Sequence, residues 1–441
     1  MEPTREIFGN ISFWWQVLFH VLAASTVAFF FLGVRRRFKL WQQGVSVDAI
    51  ALLKGKLRQL VEKWKPGVRR VLVDALGQNR VKGRGAAGRA HILMFAGFMM
   101  LFLGTVILGI DHAMEFISVS LKFYKGLFFI VYEFTLDVFG VFFLLGCFYF
   151  LFRRMRRPAS VGHRATDWYV LVSFITIAVT GYFVEALRIG WQHWPDPEGV
   201  GVKCSPVGLW VYSRLFAGLS EHSLRVAHLS VWWFHALLVF GFIASIPYTR
   251  LFHFIAGPLN LFFAKHTMGV LQPLTMEEVE KTERMGVSDI RHFTQQQLLS
   301  LDACMECGRC EDVCPAWATG KPLSPKKVVI DLKGLMSETL GPKAPEKPRA
   351  LHEETIQAET LWSCTACNAC VNICPVRIDQ LTLILDMRRH LVGEGGLSGT
   401  AATALRRIQS AGNPWGLPAT ERAEWINALN PPAGDKPSAS A

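Results

Sequence analysis

Eight of the ten cysteines fall into two copies of one spacing: Cys304, Cys307, Cys310 and Cys314 before Pro315, and Cys364, Cys367, Cys370 and Cys374 before Pro375. In such a run three close thiolates cap one iron–sulfur cube and the fourth reaches across to a second cube. The spacing therefore predicts two [4Fe-4S] clusters with crossed ligation. Cluster one would take Cys304, Cys307, Cys310 and Cys374, and cluster two Cys364, Cys367, Cys370 and Cys314. Zinc sites more often use two separated pairs, and a reducing compartment disfavours disulfides. Of the remaining thiols, Cys147 reads as a small buried apolar residue and Cys204 stands alone in a loop.

The histidines form a second pattern. Haem b in a helical membrane bundle needs an imidazole on each face of its iron, supplied at matching depth by facing helices. His235 and His253 bracket one apolar stretch; on a single helix their separation is five turns, about 27 Å along one face. His91 and His112 bracket another, about 31 Å apart and within about 60° of each other. If these helices are antiparallel, His91 meets His253 near one membrane surface and His112 meets His235 near the other. His20 lies at a similar depth to His235 and competes with His112. Glu133 and Asp137, one turn apart inside an apolar stretch, are candidates for a proton relay.

Five apolar segments are long enough to cross a bilayer, at residues 13–33, 92–110, 126–152, 168–187 and 226–247. Residues 35–90 carry fifteen Lys and Arg against three acids, and the loop after the third span reads RRMRRP. Both loops belong in the cytoplasm by the positive-inside rule, which puts the N-terminus outside and everything beyond Arg250 inside an inner membrane. The first span follows a short polar stub without a basic leader or small-residue cleavage site, so it reads as an uncleaved anchor. The net charge of +12 is then topology and contact with anionic membrane lipid. The basic residues flank spans without interleaved stacking aromatics, so nucleic acid is not an expected partner.

The loop at 35–90 alternates basic and apolar residues at near-helical spacing. It suggests two amphipathic helices on the inner membrane face, one holding Ile50, Leu52 and Leu53, with an interruption at Pro66 and Gly67. The run from Gly83 to Gly88 reads as a flexible re-entry into the second span. Capping-box patterns at Thr275 with Glu278 and Thr294 with Gln297 announce helices in the polar half. The expected organisation is a transmembrane haem b domain at 1–255, an amphipathic connector at 256–293, a dicluster domain at 294–415 and a tail at 416–441 that is disordered from about 430. No strand-period segment appears, so the fold class is all-α.

The run FHALLVFGFIASIPYTRLFH at 234–253 resembles the last span of the respiratory nitrate reductase gamma subunit, whose haem-ligating histidines bracket a similar turn. In that family the second span also supplies two histidines; the first matches His91 and the second would fall near Leu101. CMECGRCEDVCPAWATGKPLSPK at 304–326, CTACNACVNICPV at 364–376 and DMRRHL at 386–391 resemble membrane iron–sulfur oxidoreductases of the heterodisulfide reductase type, including electron-transfer-flavoprotein:menaquinone oxidoreductases. The long separation of the two motifs is similar to the α-helical ferredoxin domains of heterodisulfide reductase C-type subunits and succinate dehydrogenase iron–sulfur subunits. Many such proteins continue into a domain with Cys-Cys-Gly motifs, which is expected here on a separate subunit.

The resemblance implies an electron-transfer subunit of a quinone-linked oxidoreductase. Its cofactors would be two [4Fe-4S] clusters and one or two haems b, with menaquinone or ubiquinone as membrane substrate. The expected cytoplasmic partner is a cysteine-rich subunit of the heterodisulfide reductase kind or an electron-transfer flavoprotein. No nucleophile–base pair, nucleotide-binding glycine loop or flavin fingerprint is present, so the expected role is relay and not self-contained catalysis. Two rival expectations are a haem-free membrane anchor for the iron–sulfur module and a zinc-binding assembly protein.

Overall fold

The computed structural model describes residues 4, 7–46, 57–83, 85–118, 121–156, 165–194, 200–265, 268–270, 273–397 and 399–429. The expected tail beyond 430 and the stretch with Ile50, Leu52 and Leu53 lie outside them. Among the described residues the regular elements are all helical. Five helices are long and apolar enough to cross a membrane: α1 (Phe13–Trp41), α3 (Gly85–Ile117), α4 (Gly126–Met155), α5 (Ala165–Gln192) and α7 (Glu221–Ser245), the last running on through a short 3-10 turn to Tyr248. Between α1 and α3 lies α2 (Leu57–Arg70), and between α5 and α7 lies α6 (Pro206–Leu215).

The chain forms two compact units. The larger comprises Met1–Val270 and Asp289–Leu381, and so contains the five long helices together with all eight motif cysteines. Beyond α7 it holds α8 (His253–Phe263), α9 (Gln295–Ala303) and α10 (Pro325–Thr339). The smaller unit, Leu271–Ser288 with Thr382–Ala441, takes in most of α11 (Gln380–Gly393) and α12 (Gly399–Ala411). Within it Gly286 adopts a left-handed φ of 73°, and the Val287 N–H donates to the Asp386 carbonyl at 3.0 Å.

Packing in the membrane bundle runs in sequence: α3 lies along α4, α4 touches α5, α5 lies along α7, and α7 carries α1. The α3–α4 pair is close because small residues meet large ones. A Cβ on Gly97 would sit 2.6 Å from the Phe143 Cβ, and one on Gly146 would sit 2.7 Å from the Ala90 carbonyl. On its other side α3 has no comparable backbone packing with α1 or α7 among the described residues, although side chains meet across that seam.

Two expectations about helix continuity need correction. The span carrying His235 does not run straight to His253: α7 ends at Ser245, and 3-10 turns at Ile246–Tyr248 and Arg250–Phe252 intervene. Pro247 has no N–H to continue the ladder, and Thr249 is extended and caps the next turn by accepting from the Leu251 N–H at 3.4 Å. Pro66 and Gly67, by contrast, do not interrupt α2, which passes through both. The absent side chain of Gly67 admits the Phe262 carbonyl, 2.7 Å from where a Cβ would stand, so the glycine serves a helix crossing with α8. The capping box at Thr294 and Gln297 forms, with bonds of 3.2 and 2.8 Å. A helix also begins after Thr275, at Met276.

The α3–α4 contact yields the first prediction. Gly97→Val should overpack it and cost about 1–3 kcal/mol, read as a lower melting temperature in detergent. Gly109→Ala, which meets nothing within 4 Å, should leave the melting temperature near that of the parent.

Candidate functional site

The two cysteine motifs share one backbone device. Glu306 and Gly308 in the first copy, and Ala366 and Asn368 in the second, all have left-handed φ values, of 61°, 78°, 54° and 62°. This conformation turns the loop inward: the Ala366 N–H donates to the Cys364 sulfur at 3.4 Å, and the Glu306 N–H does the same to Cys304. Each copy then enters a short helix, Arg309–Asp312 or Ala369–Ile373, that carries its third cysteine. These two helices pack on each other, which brings the motifs together.

The two loops bring the thiols into one neighbourhood. Cys304 interacts with Cys307 and Cys374, and Cys310 with Cys304, Cys307 and Cys374 and also with Cys370 of the second copy. Cys370 interacts with Cys364, Cys367 and Cys314. Burial pushes the Cys304 and Cys370 thiols up to about 12 and Cys374 to about 11, and raises Cys310 further. Thiols raised this far would stay protonated at neutral pH, and iron is the charge that would make thiolates of them. The eight thiols gathered by the two loops are the donor set that two [4Fe-4S] clusters take, so the residues present fit them.

The motifs are fastened to the membrane half at several points. Asn260 on α8 is fully buried and donates to the carbonyls of Val376 and Arg377, at 2.8 and 3.3 Å, just past Cys374. The loop after α2 reaches the same motif: Arg80 donates to the carbonyls of Asn372 and Cys374, both at 3.0 Å, and Asp74 accepts from Arg377 at 3.2 Å. In turn Arg309 donates to the Arg80 carbonyl at 2.7 Å. The basic loop that reads as a lipid-facing element is therefore also a clasp on the second cysteine copy. On the other flank, α8 packs along α9, which delivers the first copy. Buried Asp302 on α9 accepts from the Trp41 indole at 2.9 Å and lies 3.5 and 3.3 Å from Arg37 and Lys333.

Of the membrane histidines, His91 and His253 are electrostatic neighbours, and their helices touch through Phe98 and Phe254 rings 5.2 Å apart. His253 Nδ1 lies 2.7 Å from the Arg250 carbonyl, which fixes the proton on that nitrogen and leaves Nε2 free. His91 Nδ1 is buried with no hydrogen-bond partner. On the other side of the bundle His112 lies beside His20, with ring centroids 5.7 Å apart and planes inclined by 24°, and Phe8 is 4.8 Å from His112. His20 Nδ1 bonds its own Gln16 carbonyl at 2.7 Å. His235 turns to α5, its Nδ1 2.8 Å from the Thr180 hydroxyl, which itself donates to the Thr176 carbonyl at 2.7 Å. The rings of Trp232 and Phe240, which flank His235 on α7, both lie 5.2 Å from Phe19. Three histidines, one each from α1, α3 and α7, thus share one level. An iron-ligating imidazole offers Nε2 while Nδ1 is held by a hydrogen bond; His253, His235 and His20 have Nδ1 held in this way, and with His91 and His112 beside them the residues at both levels fit haem b.

Glu133 and Asp137 are buried, not at a water boundary. Glu133 accepts from Tyr124, from Arg188 at 3.0 Å and from Ser205 at 3.4 Å, and Asp137 accepts from the Val207 N–H at 2.7 Å. Glu185 joins through Arg188 at 3.5 Å, and Tyr182 donates to the Asp137 carbonyl at 2.5 Å. Sequence reasoning missed Glu185 and Arg188, whose signal was a charged i, i+3 pair at the end of a span. Cys147 is fully buried, and Cys204 packs with Tyr124, Phe129 and Tyr132.

All-α architecture, five spans and a paired cysteine motif define a multi-pass membrane protein with an iron–sulfur domain. Residues 303–378 match the family of the 4Fe-4S dicluster domain. The "EtfAB:quinone oxidoreductase" of Syntrophomonas wolfei is 30% identical over 96% of this chain and 61% of its own length. A "Probable membrane-anchored ferredoxin" of Chromohalobacter salexigens is 29% identical over 95% of this chain and 59% of itself. A subunit of the dihydromethanophenazine:CoB--CoM heterodisulfide reductase of Methanosarcina thermophila is 26% identical over 55% of this chain and 89% of itself. The chain thus spans about six tenths of the length of the first two relatives. No solved structure matches it significantly. The chain is a membrane-anchored iron–sulfur electron-transfer protein, related to membrane oxidoreductases of the heterodisulfide reductase type.

Exposure within the motifs sets an order of reactivity. Cys307 and Cys367 are exposed, while Cys314, Cys370 and Cys374 are buried. Limited alkylation of protein stripped of its iron, followed by peptide mass mapping, should label the first two well before the other three.

Proposed function

We propose that the chain is the electron-transfer part of a quinone-linked membrane oxidoreductase. It passes electrons between the membrane quinone pool, haem b, two [4Fe-4S] clusters and a redox partner on the cytoplasmic side. The observation that carries this reading is the join on one side of the bundle: His253 opens the helix that packs along α9, the element leading into Cys304. A histidine facing His91 and the first cysteine motif are therefore held by one rigid contact. An anchor without redox chemistry has no need for histidines gathered at two levels of the bundle, with His253 and His235 held through Nδ1, and this argues against the haem-free reading.

In this proposal His91 and His253 hold an inner haem, and His235 holds an outer one with His112, beside His20. Cys304, Cys307, Cys310 and Cys374 hold one cluster, and Cys364, Cys367, Cys370 and Cys314 the other. These groups supply one-electron couples; the protein's work is to hold their ligands at fixed spacing and exclude water from them. The Arg250 carbonyl and Thr180 hydroxyl set the tautomers of His253 and His235. Glu133, Asp137, Glu185 and Tyr182 give the outer side groups able to exchange the protons that quinone chemistry requires. The N-terminus lies outside and the cysteine motifs inside, as the basic loops favour. Menaquinone is the favoured membrane substrate over ubiquinone. The soluble partner is a cysteine-rich subunit of the heterodisulfide reductase kind or an electron-transfer flavoprotein, a reading supported by the name of the Syntrophomonas relative.

Ligand substitutions test the assignment centre by centre. His253→Ala should remove one haem from the pyridine haemochrome count and leave both reduced-cluster signals in electron paramagnetic resonance. Cys374→Ser should alter the signal of the first cluster alone. Unchanged haem in the first variant, or an altered second cluster in the other, would contradict the ligand sets.

A further inference from the structure

The two cysteine copies match in backbone conformation but differ at one position that the backbone makes expensive. The third residue of each loop is left-handed, and its N–H reaches the preceding cysteine sulfur. The second copy uses Ala366 there and the first uses Glu306. A non-glycine residue in this region is strained, and donating an N–H needs no carboxylate. The Glu306 carboxylate has another engagement: it lies 2.6 Å from the Arg250 guanidinium, which also meets Asp167 at 2.5 Å, while Asp167 meets Arg154 at 3.0 Å. Arg154 and Asp167 lie at the inner ends of α4 and α5, Arg250 opens the 3-10 turn beyond α7, and all four side chains are largely shielded from solvent. The carbonyl of the same Arg250 fixes His253.

We propose that the Arg250–Glu306 pair is a positioning latch between the membrane bundle and the first cysteine loop, and that its two charges set the potential of the first cluster against the second. The inference rests on the reading of the cysteine motifs as cluster ligands. Arg250 favours the reduced, more negative cluster and Glu306 opposes it. Charge at this distance from a shielded site is weakly screened, and the second copy, with Ala366, has no such acid in its loop. Arg250 is satisfied by two carboxylates of the protein itself.

The test is a redox titration of the purified full-length protein, following both cluster signals by electron paramagnetic resonance. Arg250→Gln should lower the first cluster's potential and Glu306→Gln should raise it. Each shift should be about tenfold in the reduced-to-oxidised ratio at fixed potential, or about 59 mV for one electron. The second cluster should not move, and Arg250→Lys should restore most of the first shift. Glu306→Ala, which reproduces the residue of the second copy, gives a rise that does not depend on the Arg250 variant folding. Shifts of the same sign in the Arg250 and Glu306 variants, equal shifts in both clusters, or no shift would overturn the latch. Absence of both cluster signals from the parent protein would instead overturn the ligand reading on which it stands.

Discussion

A helix that meets a proline at the membrane surface loses its ladder, and the inner side of this protein is arranged around that event. Pro247 stops the last span, Thr249 recaps the chain, and within eight residues a new helix begins at His253. Because the break is short, Arg250 and His253 remain tied to the span while α8 is free to pack along α9. The bend thus converts a bilayer-crossing element into a platform for the first cysteine motif. A straight continuation would have carried His253 and α8 away from α9.

The platform is reinforced by polar contacts whose loss would be costly. Asn260, Arg80 and Arg250 bind from the membrane half to a cysteine-bearing segment, Asp302 binds back from α9 to Trp41 and Arg37, and Asn260 and Asp302 are essentially without solvent. Buried groups of this kind stabilise little in net terms, but losing one partner strands the other, at about 1–3 kcal/mol for a hydrogen-bonded group. Their effect is therefore to specify one placement of the motifs, which an electron relay needs more than it needs extra stability.

Much of this was legible in the sequence because the signals were local. Thiols at fixed short intervals fold into the same loop wherever they stand, and two such loops meet through their short helices. The five spans were legible from length and apolarity alone. What escaped depended on tertiary choice. An amphipathic basic helix has the same pattern whether it faces lipid or protein, so the clasp of the 57–83 segment on Cys374 left no mark. Gly67 looked like a breaker because its real partner, the Phe262 carbonyl, is nearly two hundred residues away. Helical arithmetic placed His253 five straight turns from His235, where a proline forbids them. It also left the neighbours of His112 open, and those are set by how α1 leans on α7 and brings His20 across.

The claim that this membrane bundle is itself a redox domain is tested most directly by composition. Protein purified from haem-replete cells would be assayed for iron, acid-labile sulfide and haem per chain, with optical spectra before and after dithionite. The account predicts iron and sulfide for two [4Fe-4S] clusters together with haem b, seen as sharp α and Soret bands over a broad iron–sulfur shoulder. Iron and sulfide without haem would contradict it and leave a membrane-anchored ferredoxin, and zinc without sulfide would contradict the cluster assignment as well.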